Sequence, residues 1–186
     1  MALLLIGQAV HLHNVNLSYR LELAAADRMA RLDDPIRPND TVASVAGVDN
    51  TGRRHFIAMR DETIAGSLLF TLGRRCPTCA AVLTRSTPLV QLAETHGVQV
   101  LRIYRDPSIS ETSDRGLTIA APSYRTWVQL NLNRIPQVML VSRNGVVTAA
   151  SAGPLTTTTL TMFREAVLRL PRPSALSSEP AATSRR

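Results

Sequence analysis

Cys76-Pro77-Thr78-Cys79 holds the only two cysteines of the chain. Two thiols separated by two residues close a small ring on oxidation and reopen it on taking back two electrons, so the spacing points to a dithiol that exchanges electrons. The pair follows an apolar run, Ala65-Gly66-Ser67-Leu68-Leu69-Phe70-Thr71, which reads as a buried strand. Pro77 falls where a helix would begin, since its missing N–H is harmless at the first helical position and its fixed φ suits that turn. A helix opening at Cys76 leaves unpaired backbone N–H groups beside that sulfur, and such donors favour thiolate, the reactive form.

The helix dipole contributes only about 0.3–1 kcal/mol to that preference at an exposed site. Arg74 and Arg75 immediately precede Cys76 and could add a fixed positive charge, or they could be solvated loop arginines. Cys79 falls one turn further in and should be the less exposed thiol.

The elements that must position this pair are legible along the chain. A length of 186 residues, with 45% hydrophobic and 19% charged content, fits one domain with a real core and an appendage. The first ten residues are almost wholly apolar but stop at His11, short of the roughly 20 residues of a membrane-spanning helix. Residues 1–32 are expected to form an apolar to amphipathic helix. It is either packed on the domain or a partner, or the short form of a membrane anchor. Asp33-Asp34-Pro35-Ile36-Arg37-Pro38-Asn39-Asp40 marks a boundary, and the folded domain is expected over residues 41–170.

Val42 to Val48 and Arg53 to Met59 flank the turn Asp49-Asn50-Thr51-Gly52 as a hairpin. Val82, Leu83, Leu89, Val90 and Ala93 follow helical spacing after Cys79, with Pro88 expected to kink the helix. Val98 to Tyr104 is a second apolar strand, and strand, helix, strand in this order predicts a parallel βαβ unit. Asp106 to Asp114 reads as loop, Gly116 to Ala121 as one short strand, and Ser123 to Asn131 as a short helix. Gln137 to Val141 and Val146 to Ala150 flank Arg143-Asn144-Gly145 as a second hairpin. Leu160, Phe163, Val167 and Leu170 stripe a closing helix that Pro171 ends, and residues 171–186 are expected to be a disordered tail.

These elements carry a resemblance. A buried strand, Cys-Pro-Thr-Cys opening a helix, a parallel strand, and Arg134-Ile135-Pro136-Gln137 leading into an Asn-Gly hairpin together resemble the thioredoxin fold. That implies an α/β domain with a central mixed sheet flanked by helices, here with an N-terminal helical arm. The arm, the leading hairpin and the stretch after the first parallel strand resemble its redoxin branch, which includes membrane-tethered thiol-disulfide oxidoreductases and the alkyl hydroperoxide reductase/thiol-specific antioxidant superfamily. The segment Leu68 to Cys79 is most similar to the methylamine-utilisation redoxins of the MauD type.

The resemblance implies that Cys76 attacks, that Cys79 resolves, and that Pro136 is a cis-proline facing them, holding Ile135 open to a substrate peptide. An ordinary proline at a strand's first residue is the simpler reading of Pro136. Arg75, Pro77 and Thr78 would tune the couple. The implied partner is a protein thiol or disulfide, and the implied location is the periplasmic, extracytoplasmic side of a membrane, with a cytoplasmic protein as the alternative. The dithiol carries the chemistry itself, so no cofactor is implied.

The chain also departs from the thioredoxin pattern. Arg75 stands where thioredoxins commonly carry tryptophan, and no acid stands in the strand beneath the motif, so the proton acceptor for Cys79 is unassigned. Asp61 and Glu62 could reach under the strand or be surface acids.

Rival functions fit less well. A peroxidase of the same superfamily needs Pro and Thr or Ser seven and three residues before Cys76, and Leu69 and Gly73 stand there. Zinc needs ligands beyond one cysteine pair, and His11, His13, His55 and His96 show no completing spacing. Haem attachment would need histidine at Ala80. The net charge of +7 comes entirely from scattered arginine, and aromatics are only 4%, which argues against a nucleic-acid face. A docking module that keeps the fold without catalysis remains the alternative to an enzyme.

Overall fold

The computed structural model describes residues 36–105 and 116–172. The helix expected over 1–32, the loop over 106–114 and the tail from 173 onward lie outside the described residues. Among the described residues, no helix is long and apolar enough to cross a membrane.

The strand that leads to the dithiol, β3 (Gly66–Leu72), is buried along its whole length. It lies at the centre of a five-stranded sheet. On one side it pairs parallel with β4 (Val98–Tyr104), which pairs parallel with β5 (Leu117–Ile119). On the other side it pairs antiparallel with β7 (Gln137–Ser142), followed by the antiparallel β8 (Val147–Ala152). A central strand covered on both faces should read as a continuous apolar run, as this one does.

Two clusters cover its faces. Leu68, Phe70 and Leu72 pack with Val82, Leu89, Val90, Phe163 and Val167 from the helices, and Leu69 packs with Val45, Ile103, Leu130 and Met139 on the opposite face. Each Leu or Phe so buried contributes about 1.5–3 kcal/mol by area.

The helices behind the first face are α1 (Pro77–Arg85), α2 (Thr87–Thr95) and α4 (Thr157–Arg169). The kink expected from Pro88 is a full break at Ser86. Proline cannot donate to the carbonyl four residues back. That carbonyl, of Thr84, accepts the Thr87 hydroxyl instead at 3.1 Å. Thr156 and Thr159 form a reciprocal cap on α4, with the Thr159 amide donating to Thr156 Oγ1 at 3.2 Å and the Thr156 amide to Thr159 Oγ1 at 2.8 Å.

The leading hairpin, β1 (Ser44–Val48) and β2 (Arg54–Ala58), belongs to a separate three-stranded sheet completed by β6 (Ala121–Pro122). The single short strand expected over Gly116 to Ala121 is therefore two strands in two sheets, joined where the Ala120 amide donates to Val48 O at 2.8 Å. Ser123 caps the short α3 (Tyr124–Gln129). Trp127 lies against the second cluster, with the Arg105 guanidinium 5.4 Å from its ring centre.

Candidate redox-active site

The loop after β3 ends at Cys76, which is itself the N-cap of α1, with extended backbone (φ −124°, ψ 96°) and Pro77 in the first turn. The Cys79 amide donates to Cys76 Sγ at 3.1 Å, so a helix N-terminal N–H is aimed at the first sulfur. Cys76 and Cys79 are joined as a disulfide. Cys76 is half-buried, whereas Cys79 is 2% exposed and its sulfur accepts the Gly73 amide at 3.4 Å. An incoming thiol can therefore reach Cys76 far more readily than Cys79.

The Ile135–Pro136 peptide bond is cis. Ile135 packs over Gly73: a Cβ added to that glycine would overlap Ile135 Cδ1 and lie 3.5 Å from Cys76 Cβ. The sequence-predicted residues Cys76, Cys79 and Ile135 thus meet at one end of β3. Pro136 follows Ile135 and is buried, and its carbonyl accepts the Gly153 amide at 2.8 Å from the turn after β8. Thr78 is half-buried and Pro77 exposed at the helix tip. Arg74 and Arg75 are both exposed.

Two further residues build the corner without having been singled out for that role by their types. Gln137 is 2% exposed, and its side-chain amide donates to the carbonyls of Leu130 at 3.2 Å, Asn131 at 3.0 Å and Arg134 at 2.7 Å, tying down the loop that presents Ile135. Its backbone N–H donates to Thr71 Oγ1 at 3.1 Å, which fixes that loop to β3. Gly73 admits Ile135 because it lacks a side chain. The available signals were an uncharged polar residue opening an apolar strand and a glycine three residues before the first cysteine.

Asp61 does not reach under the dithiol. Its Oδ1 accepts the Thr63 hydroxyl at 2.6 Å and the Thr63 amide at 2.8 Å, bonds that hold its carboxyl below the usual range, and Glu62 is exposed. Among the described residues, no group of three His, Cys, Asp or Glu side chains is placed to hold a metal ion.

No family model and no curated protein matches the chain. Solved structures do. A protein assigned as thiol:disulfide interchange protein DsbE from Chlorobium tepidum superposes with a TM-score of 0.56 at 16% identity, over 72% of this chain and 96% of its own. The thioredoxin domain of a thiol-disulfide oxidoreductase from Bacteroides vulgatus gives 0.53 at 12%, over 70% and 96%. A peroxiredoxin-like protein from Aquifex aeolicus gives 0.52 at 11%, over 73% and 90%. The chain has a thioredoxin-like fold: a mixed central sheet flanked by helices, with the cysteine pair at the carboxyl end of its central strand.

Proposed function

We propose that this protein is a thiol-disulfide oxidoreductase that exchanges disulfides with a protein partner through Cys76 and Cys79. The observation that carries the reading is the asymmetry of the pair. Cys76 is the reachable sulfur and receives a helix N-terminal N–H, while Cys79 lies buried behind it.

In the reducing direction the Cys76 thiolate attacks one sulfur of a partner disulfide, forming a mixed disulfide and releasing the other partner sulfur as thiolate. Cys79 loses its proton and attacks Cys76 Sγ, which closes the Cys76–Cys79 bond and releases the second partner thiolate. The partner disulfide has gained two electrons and, on protonation, two hydrogens, and the dithiol has lost them. The oxidising direction is the reverse: a partner thiolate attacks Cys76 Sγ and expels Cys79.

The partner chain lies along Ile135 and Pro136, beside the reacting sulfur. Arg75, Pro77 and Thr78 tune the couple through charge and helix-tip geometry. The resemblance of Leu68 to Cys79 to MauD-type redoxins supports a place for the domain on the periplasmic face of a membrane, tethered through residues 1–32.

Trapping tests the exchange reading. Cys79→Ser should accumulate mixed disulfides through Cys76 and lose insulin-disulfide reduction, and Cys76→Ser should trap nothing through Cys79. Equal inertness of wild type and both variants would instead establish a docking module, and peroxide consumption without disulfide exchange would establish a peroxidase.

A further inference from the structure

Two cavities, the first of them beside the dithiol, share one side chain. The first, about 350 Å³, runs from Pro77 and Thr78 at the helix tip along Ala81 to Arg85, with Pro154 and Leu155 opposite. The second, about 380 Å³, continues from Arg85 between α2 and α4, over Leu89, Leu92 and Leu160, to Arg164. A hydrogen bond holds their common side chain: Arg85 Nη1 donates to Leu155 O at 3.0 Å. The track therefore begins at Pro77 and Thr78, the two residues between the cysteines.

Its chemistry is one-signed. The described residues lining the two cavities include Arg85 and Arg164 and no Asp or Glu. Both arginines are exposed, and among the described residues neither has a carboxylate within ion-pair distance. Apolar floor and arginine rim together suit a peptide that carries both apolar and acidic side chains.

We propose that this track binds the partner segment next to the exchanging cysteine, and that Arg85 and Arg164 select partners with Asp or Glu there. The inference rests on the dithiol-exchange reading and names its substrate class. Arg85 stands eight residues beyond Pro77 along α1, about 12 Å at 1.5 Å per residue. An extended peptide covers that span in about four residues at roughly 3.3 Å each. An acid about four positions from the partner's cysteine thus faces Arg85, and acids beyond it face Arg164.

Synthetic disulfide peptides test this, with Glu, Gln or Lys placed at and beyond the fourth position from the exchanging cysteine and hydroxyethyl disulfide as the small control. Two exposed ion pairs should raise kcat/KM for the Glu peptide about threefold to tenfold over the Gln peptide at low salt. Lys should lower it, and added salt should flatten the series. Arg164→Glu should shrink or reverse the preference while leaving turnover of the small disulfide unchanged, and Arg85→Lys should keep it. Equal kcat/KM for the three peptides, with normal turnover of the small disulfide, overturns the selection proposal alone. Inertness towards the small disulfide as well overturns the exchange reading and this proposal with it. Stronger competition by a single-stranded oligonucleotide than by the reduced Glu peptide would assign the track to nucleic acid and overturn it.

Discussion

The Gln137 side-chain amide lies 2.7 Å from the carbonyl oxygen of Arg134, closing a loop that sets the half-buried Ile135 beside Cys76. The same NH₂ group also faces the carbonyls of Leu130 and Asn131, so one buried side chain supplies the donors for a whole turn. Replacement by Leu takes that donor from the carbonyls of Leu130 and Arg134, Asn131 O keeping the Arg134 amide at 3.0 Å, and a buried polar group left unsatisfied costs about 1–3 kcal/mol. Gln137→Leu should lower unfolding stability by about 2 kcal/mol in denaturant titration. It should also raise KM for a protein disulfide more than for hydroxyethyl disulfide, since only the former needs Ile135 in place. Equal effects on both substrates would show that the glutamine is structural alone.

Gly73 poses the complementary test. A methyl group there meets the end of a flexible side chain, Ile135 Cδ1, so the fold can accommodate Gly73→Ala by moving that side chain. Stability should fall by no more than about 1–2 kcal/mol, within the usual cost of added bulk in a packed site. Turnover of protein disulfides should fall severalfold. The double variant Gly73→Ala with Ile135→Ala removes the clash, so its loss of stability should be smaller than the sum of the two single losses. Strict additivity in denaturant titration would mean that the two residues do not touch.

Thr126 joins α3 to the hairpin. Its hydroxyl donates to Ala46 O at 3.0 Å and accepts the Ala46 amide at 2.8 Å, and the residue is 1% exposed. Thr126→Val keeps the shape and leaves the Ala46 amide without its acceptor, while Ala46 O keeps the Ser123 amide at 2.8 Å, with an expected loss of about 1–3 kcal/mol. Cysteine-pair activity per folded molecule should not change. A loss of activity without a loss of stability would contradict this assignment.

Much of this arrangement was legible in the residues because local pattern and tertiary environment agreed. Val98 to Tyr104 and Ser123 onward were readable as a strand and a short helix, and the apolar run after Ala65 announced a buried strand. Where the sequence was ambiguous, a longer-range partner decided. Ala120 and Ala121 continue the apolar character of Leu117 to Ile119, so nothing local shows that Ala121 pairs with Val48 in another sheet. Pro88 announced a disturbance, but its position, two residues earlier at Ser86, depended on which carbonyl the ring left free. Gln137 was read only as the start of a strand, because its three acceptors lie on a loop that becomes a neighbour only after folding.

Acid should loosen the leading hairpin first. Asp49 accepts the Thr51 hydroxyl at 2.6 Å, lies 2.7 Å from His55 Nε2, and accepts the amides of Arg53 at 3.0 Å and Thr51 at 2.8 Å. The Thr51 hydroxyl foremost, then the His55 ring and the two amides, hold the Asp49 carboxyl well below its ordinary value of 3.8. A carboxylate depressed on folding adds stability that is complete above the unfolded value and fades as pH falls through it towards the folded one. The melting temperature should therefore decline below about pH 4. Asp49→Asn cannot ionise, so it should be less stable than wild type at pH 7 and converge on it in acid. A constant difference between the two melting curves from pH 7 to pH 2 would show that the Asp49 charge contributes nothing to the hairpin.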